Sequence, residues 1–127
     1  EWERATGSST AKDARIGGEE YLLERGLLRG RSTGRIIDPR FTMFSFPTRW
    51  YYDVLRGLDY FRSTGAVFDD RCAEAIDLVV DRRDGAGRWP LENTHEGPTH
   101  FEMEGPEGFP SRWNTLRAMR VLNWAGR

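Results

Sequence analysis

Four stretches of the chain place apolar residues at helical spacing with charges between them. The first runs from about Lys12 to Leu28, with Ile16, Leu22, Leu23 and Leu27 on one side and Glu19, Glu24 and Arg25 mainly on the other. The second spans about 47–63, where Trp50, Val54, Leu58 and Phe61 repeat and Pro47 suits a first turn. The third begins at Asp69, a good N-cap, and turns Cys72, Ile76, Val79 and Val80 inward before Asp84-Gly85 ends it. The fourth begins at Ser111 and carries Trp113, Leu116, Met119 and Leu122 inward as far as Gly126. No segment alternates long enough to require a strand.

These helices repeat. Phe46-Pro47-Thr48-Arg49-Trp50 returns as Phe109-Pro110-Ser111-Arg112-Trp113, and Glu20-Tyr21-Leu22-Leu23-Glu24-Arg25 returns as Asp77-Leu78-Val79-Val80-Asp81-Arg82. Gly34-Arg35 matches Gly87-Arg88, and Leu55-Arg56-Gly57-Leu58 matches Leu116-Arg117-Ala118-Met119. The expectation is an all-α domain over 1–127 made of two tandem antiparallel helix hairpins, about 12–64 and 69–125. Antiparallel helices in series put both long connections, 29–46 and 83–110, at one end, which makes that end the place to look for a site. Stacked hairpins leave outer faces unpaired, so a second copy or the remainder of a longer chain is the expected partner. The start at Glu1-Trp2-Glu3, without Met, fits a fragment of a longer chain.

Composition narrows the partners. Nineteen Lys plus Arg against twenty Asp plus Glu leave a net charge of −1, with neither the basic stripe of a nucleic-acid binder nor an acidic tail. No apolar run reaches the roughly 18 residues of a membrane span. Every basic residue but Lys12 is arginine, which fits a GC-rich genome, and the lone Cys72 excludes an intramolecular disulfide framework and suits a cytoplasmic setting.

Arg82-Arg83-Asp84-Gly85-Ala86-Gly87-Arg88-Trp89, closing an apolar helix, resembles the Gln/Trp repeat of the squalene-hopene cyclase and protein prenyltransferase superfamily. The stretch from about Gly17 to Trp124 looks like the C-terminal part of bacterial squalene-cyclase-like proteins. The resemblance implies an α/α toroid of helical hairpins. It departs from the family at the chemistry. The Asp-x-Asp-Asp acid motif of the cyclases is replaced by Phe68-Asp69-Asp70-Arg71, and Arg83 stands near the place of the repeat's Gln. Prenyltransferases bind zinc through an Asp-x-Cys near a helix start and a later His. Asp70-Arg71-Cys72 has that form, with His95 and His100 farther along the chain. The competing reading places Cys72 as a small buried thiol on an apolar stripe and Asp70 as a helix-start acid.

Other candidates cluster at the long-loop end. Leu91 to Phe109 carries Glu92, Glu96, Glu102, Glu104, Glu107, His95 and His100 and no basic residue. It reads either as a cation site or as an acidic loop docked on arginines of the other connection. Arg49-Trp50, Arg88-Trp89 and Arg112-Trp113, with Arg35, read either as an anion or isoprenoid pocket or as joints of the repeat. Glu92 and Asp38 are a conceivable pair for glycoside chemistry. The chain alone therefore reads as a prenyltransferase/squalene-cyclase-like α/α-toroid scaffold, non-catalytic or catalytically incomplete. The alternative is an enzyme portion binding an isoprenoid or other apolar small molecule with an anionic head. Arginines converging on one apolar cavity would favour the enzyme; arginines tied up one by one would favour the scaffold.

Overall fold

A computed structural model describes residues 1–127. The chain forms α1 (Trp2–Thr6), α2 (Ser9–Leu23), α3 (Val54–Ser63), α4 (Ala73–Asp81), a strand pair β1 (Trp89–Pro90) and β2 (Pro110–Ser111), and α5 (Arg112–Trp124). Single turns of 3₁₀ helix occupy Pro39–Thr42 and Asp70–Cys72. The protein is thus mostly helical, and none of its helices is long and apolar enough to cross a membrane.

Side-chain caps set most of the helix starts. Ser8, Asp53 and Ser111 each accept a hydrogen bond from a backbone N–H in the first turn of α2, α3 and α5, at 3.2, 2.8 and 2.9 Å. Asp69 does the same for the 3₁₀ turn that runs directly into α4. The start expected at Asp69 therefore holds, with a 3₁₀ first turn in place of an α-helical one.

Two helix boundaries and one helix face differ from expectation. α2 stops at Leu23, because Gly26 and Leu27 take left-handed backbone angles, φ 50° and 70°, and turn the chain. A leucine in that region costs about 1 kcal/mol. The reversal delivers Leu27 and Leu28 into the core, and Tyr52 Oη–H secures it by donating to Leu27 O at 2.7 Å. The second helix starts at Val54 and not at Pro47: Arg49 has φ 50°, and the extended Asp53 caps α3. Trp50, expected to point inward, is 74% exposed.

α5 begins at the expected place but buries a different face. Asn114, Ala118, Val121 and Leu122 point inward, while Trp113, Leu116 and Met119 are exposed. The reason is polar: Asn114 Nδ2–H donates to Phe44 O and Pro90 O, at 3.2 and 3.1 Å, and this fixes the helix rotation. The β1–β2 pair was not expected. It is only two residues long, too short to show alternation, and is extended by Leu91 N–H donating to Phe109 O.

The core is one cluster. Val54, Leu55, Leu58 and Phe61 of α3 meet Ala75, Ile76 and Val79 of α4 and Ala118, Val121 and Leu122 of α5, joined by Cys72, Trp89, Phe44, Leu27 and Leu28. Each fully buried leucine contributes about 1.5–3 kcal/mol. Trp89 is anchored by Nε1–H donating to Val79 O, and Gly57 is required where Tyr52 and Leu27 close on α3, since a Cβ there would lie 2.7 Å from Tyr52 Oη. α2, by contrast, has no buried residue.

The two long connections do lie together. Ser45 bridges to Asn93, and Glu92 N–H donates to Phe44 O at 2.9 Å. The two copies of the pentapeptide, however, take different forms. Pro110 and Ser111 are strand and Ser111 caps α5, whereas Arg49-Trp50 is a turn ahead of α3. Phe46 of the first copy stacks on Trp113 of the second, with ring centres 5.3 Å apart.

Asp53 is the most consequential of the caps, being 1% exposed and bonded to two elements at once. Asp53→Ala removes a cap and strands two buried donors of Ser45, so urea unfolding should show a loss of about 3 kcal/mol. Asp69→Ala, at an exposed turn, should cost clearly less; equal losses would contradict the assignment.

Candidate functional site

The densest polar cluster lies where the two long connections meet the N-termini of α3 and α5. Its centre is Phe44–Ser45. Asp53 Oδ2 accepts from Ser45 N–H at 3.3 Å and Ser45 Oγ–H at 3.0 Å, while Oδ1 accepts from Arg56 N–H. Glu92 accepts from Phe44 N–H at 2.9 Å and pairs with Arg82 at 3.2 Å. Arg117, largely buried, donates to Ser45 O and Asn114 Oδ1. Almost every polar group of this two-residue segment is thereby satisfied.

Electrostatics follow burial. The Glu92 carboxyl is pushed up from its ordinary value, by desolvation first, although the bond from Phe44 N–H and the charge of Arg82 oppose it. The Arg117 guanidinium is lowered by burial, against the pull of Asp53 and Asp59. His95 lies flat on Tyr51, ring centres 3.8 Å apart, with Nε2 3.2 Å from Ser45 Oγ. Its pKa is lowered by burial, with Arg49 and Arg40 adding to the effect and Asp53 opposing it, so the imidazole is neutral at pH 7.

A serine beside a neutral histidine invites comparison with a nucleophile and its base, but the proton direction is wrong. Ser45 Oγ–H is directed to Asp53 Oδ2 at 3.0 Å, so the hydroxyl is committed to that carboxylate and not to His95 Nε2, 3.2 Å from the same oxygen. The cleft beside them, lined by Asp38, Arg40, Tyr51, Asn93 and others, has a volume of only about 50 Å³. Ligand pockets usually run to roughly 300–1,000 Å³.

The arginines expected here do not converge. Arg49 Nη2–H donates to Gly97 O at 3.0 Å, Arg88 lies 3.6 Å from Asp84, Arg112 donates to Met103 O at 3.2 Å, and Arg35 is exposed and its side chain has no partner. Arg49 Nε is buried without a hydrogen bond. Trp89 is in the core and lines no cavity mouth. The acidic loop uses its carboxylates on backbone and hydroxyl donors: Glu104 accepts from Ser111 Oγ–H and Trp113 N–H, and Glu107 from Thr94 N–H. Asp38 caps the Pro39–Thr42 turn and is held low by Arg40, while Glu92 serves Phe44, so each acid has its own partner.

The zinc residues do not assemble either. No group of three or more His, Cys, Asp or Glu side chains is placed to hold a metal. Cys72 is fully buried and its thiol is pushed up to about 11, by desolvation first and by Asp69 next. Asp70 and His100 are exposed, and His95 is committed to Tyr51 and Ser45. Cys72 could ligate zinc only as a thiolate, which its burial disfavours, and the ligands would have to converge, so these residues do not fit the ion.

The sequence pattern does not foreshadow one cleft. It is apolar, about 210 Å³ in volume, and lies between the end of α2 and the adjoining loop, lined by Leu22, Leu27, Ile37, Phe41, Tyr52 and Tyr21, with Arg25 stacked 3.5 Å above the Tyr21 ring. Its walls come from a reversal at Gly26-Leu27 that helical periodicity does not reveal.

Comparison of the chain with family models, curated proteins and solved structures finds no match.

The buried thiol gives a direct check. Cys72 should not react with Ellman's reagent in the native protein at pH 8 and should react fully in urea; fast native reaction would show the thiol accessible.

Proposed function

We propose that this chain is a helical scaffold: a prenyltransferase/squalene-cyclase-like α/α-toroid repeat segment, catalytically incomplete, whose outer faces dock a partner. The observation that carries this reading is the fate of the candidate site residues. Arg49, Arg88 and Arg112 are tied up singly by a carbonyl, a carboxylate and a carbonyl; Arg88 and Arg112 flank one open groove, but neither Arg49 nor Arg35 lines it. Ser45, Asp53, Glu92, Asn114 and Arg117 use their hydrogen bonds to join loops to helices. Groups built to bind a ligand would instead leave donors or acceptors facing an open pocket. The repeat-like Arg82–Trp89 stretch supports the toroid architecture, and the missing Asp-x-Asp-Asp supports its incompleteness.

The apolar cleft at Tyr21 and Phe41 favours the second reading, an enzyme portion that takes an apolar molecule with an anionic head. Its only charged wall is Arg25, which already donates to Tyr21 O at 2.8 Å. None of the arginines at the long-loop end reaches it.

Calorimetric titration with geranyl diphosphate separates the two. The scaffold reading predicts no saturable binding at up to about 1 mM, the range of roughly −4 kcal/mol. Saturable micromolar binding lost in Arg49→Ala or Arg25→Ala would overturn it in favour of the enzyme.

A further inference from the structure

Two glycines divide α2 into halves of unlike attachment. Gly17 and Gly18 sit in mid-helix, where glycine weakens a helix and lets it bend. A Cβ at either position would meet nothing within 4 Å, so no packing calls for a glycine there.

After the glycines the helix is fastened to the body. Leu22 and Leu23 pack on the core, and Glu20 accepts from Arg71 Nη1–H at 2.7 Å. Before them it is not. None of residues 1–16 is buried, and apart from the backbone ladder of α2 no hydrogen bond or ion pair carries them past Glu19. α1 and the first half of α2 hold to one another instead: Arg15 grips Glu3 with Nε–H at 2.7 Å and Nη2–H at 3.2 Å. Residues 1–16 therefore form an arm with its own internal clamp.

One polar chain joins this arm to α3. Arg15 Nη1–H donates to Glu19 Oε2 at 2.9 Å across the glycines, and Glu19 Oε1 accepts from Tyr60 Oη–H at 2.8 Å. Between arm and body lies a cleft of about 630 Å³, walled by Glu3, Arg4 and Arg15 on one side and by Tyr60, Ser63 and Thr64 at the end of α3 on the other. The α3 wall is fixed, since Phe61 beside Tyr60 is part of the core. The arm wall has no such anchor. A helix pair that buries no side chain gains little from packing, so the contacts of a few partly exposed polar groups decide its position.

We infer that residues 1–16 are a lid on this cleft, hinged at Gly17–Gly18 and latched by Arg15, Glu19 and Tyr60, which opens while the core stays folded. The lid is independent of whether the chain is a scaffold or an enzyme portion.

The test measures, on the full chain, the distance between spin labels on Lys12→Cys in the arm and Asp81→Cys at the end of α4, both exposed positions, by pulsed electron resonance. Cys72 is buried and takes no label. Two distances are expected. Tyr60→Phe, which removes a hydrogen bond to a charged group, should raise the population of the longer one roughly fivefold, and about 1 M NaCl should raise it as well. Gly17→Ala with Gly18→Ala should lower it roughly tenfold, because alanine stiffens the helix and has open space there. A single distance, or two whose ratio neither Tyr60→Phe nor the glycine pair alters, overturns the lid. So does a longer distance that arrives with loss of helical circular dichroism, because the arm then melts and does not swing.

Discussion

A single buried carboxylate organises the molecule. Asp53 starts α3 with one oxygen and holds Ser45 with the other, while it is almost wholly removed from water. A buried charge is tolerated only where hydrogen bonds and opposite charge replace the lost hydration. Here Ser45 N–H, Ser45 Oγ–H and Arg56 N–H supply the bonds, and Arg117, held on Ser45 O, supplies the charge. Because the carboxylate requires these partners, it fixes the loop on α3, and the loop in turn presents Phe44 O to Asn114 and Glu92. The rotation of α5 results from that contact. So does the exposure of its Trp113, Leu116 and Met119 ridge, and a requirement of the interior thereby shapes the surface.

The same requirement accounts for the polar crowding at the long-loop end. Two long connections crossing near each other bring many backbone N–H and C=O groups out of water, and each needs a partner. Four of the histidine and acidic side chains that look like ligands in the sequence are occupied in this way, His95 on Ser45, Glu92 on Phe44, Glu104 on Ser111 and Trp113, and Glu107 on Thr94, while Glu96, His100 and Glu102 are exposed. Polar crowding at loop crossings is thus as much a structural signature as a catalytic one.

Much of the architecture was legible because caps and core spacing are local. Asp69 and Ser111 announced their elements, and Val54, Leu58, Ile76 and Val79 announced the core. The errors share one physical origin, which is long-range contact overriding local pattern. Pro47 and Trp50 fit a helix by spacing, but Asp53, bonded to Ser45, claims the cap three residues later. Trp113 and Met119 fit an inward stripe better than Asn114 does by hydropathy, yet the Asn114 amide is what Phe44 and Pro90 require. Among the arginines, Arg88 meets Asp84 four residues before it, but the partner of Arg49 could not be read in this way. Arg49 meets the carbonyl of Gly97, 48 residues along the chain, a contact that no local pattern announces.

On this reading Phe44–Ser45 and its partners form a permanent joint, in contrast to a ligand site that opens. Amide hydrogen exchange of Phe44, Ser45 and Glu92 measures this most directly. A permanent joint predicts that these three amides exchange only through global unfolding, with protection equal to that of the α3 core. Exchange through a local opening, much faster than that of Leu58 and independent of denaturant, would contradict it.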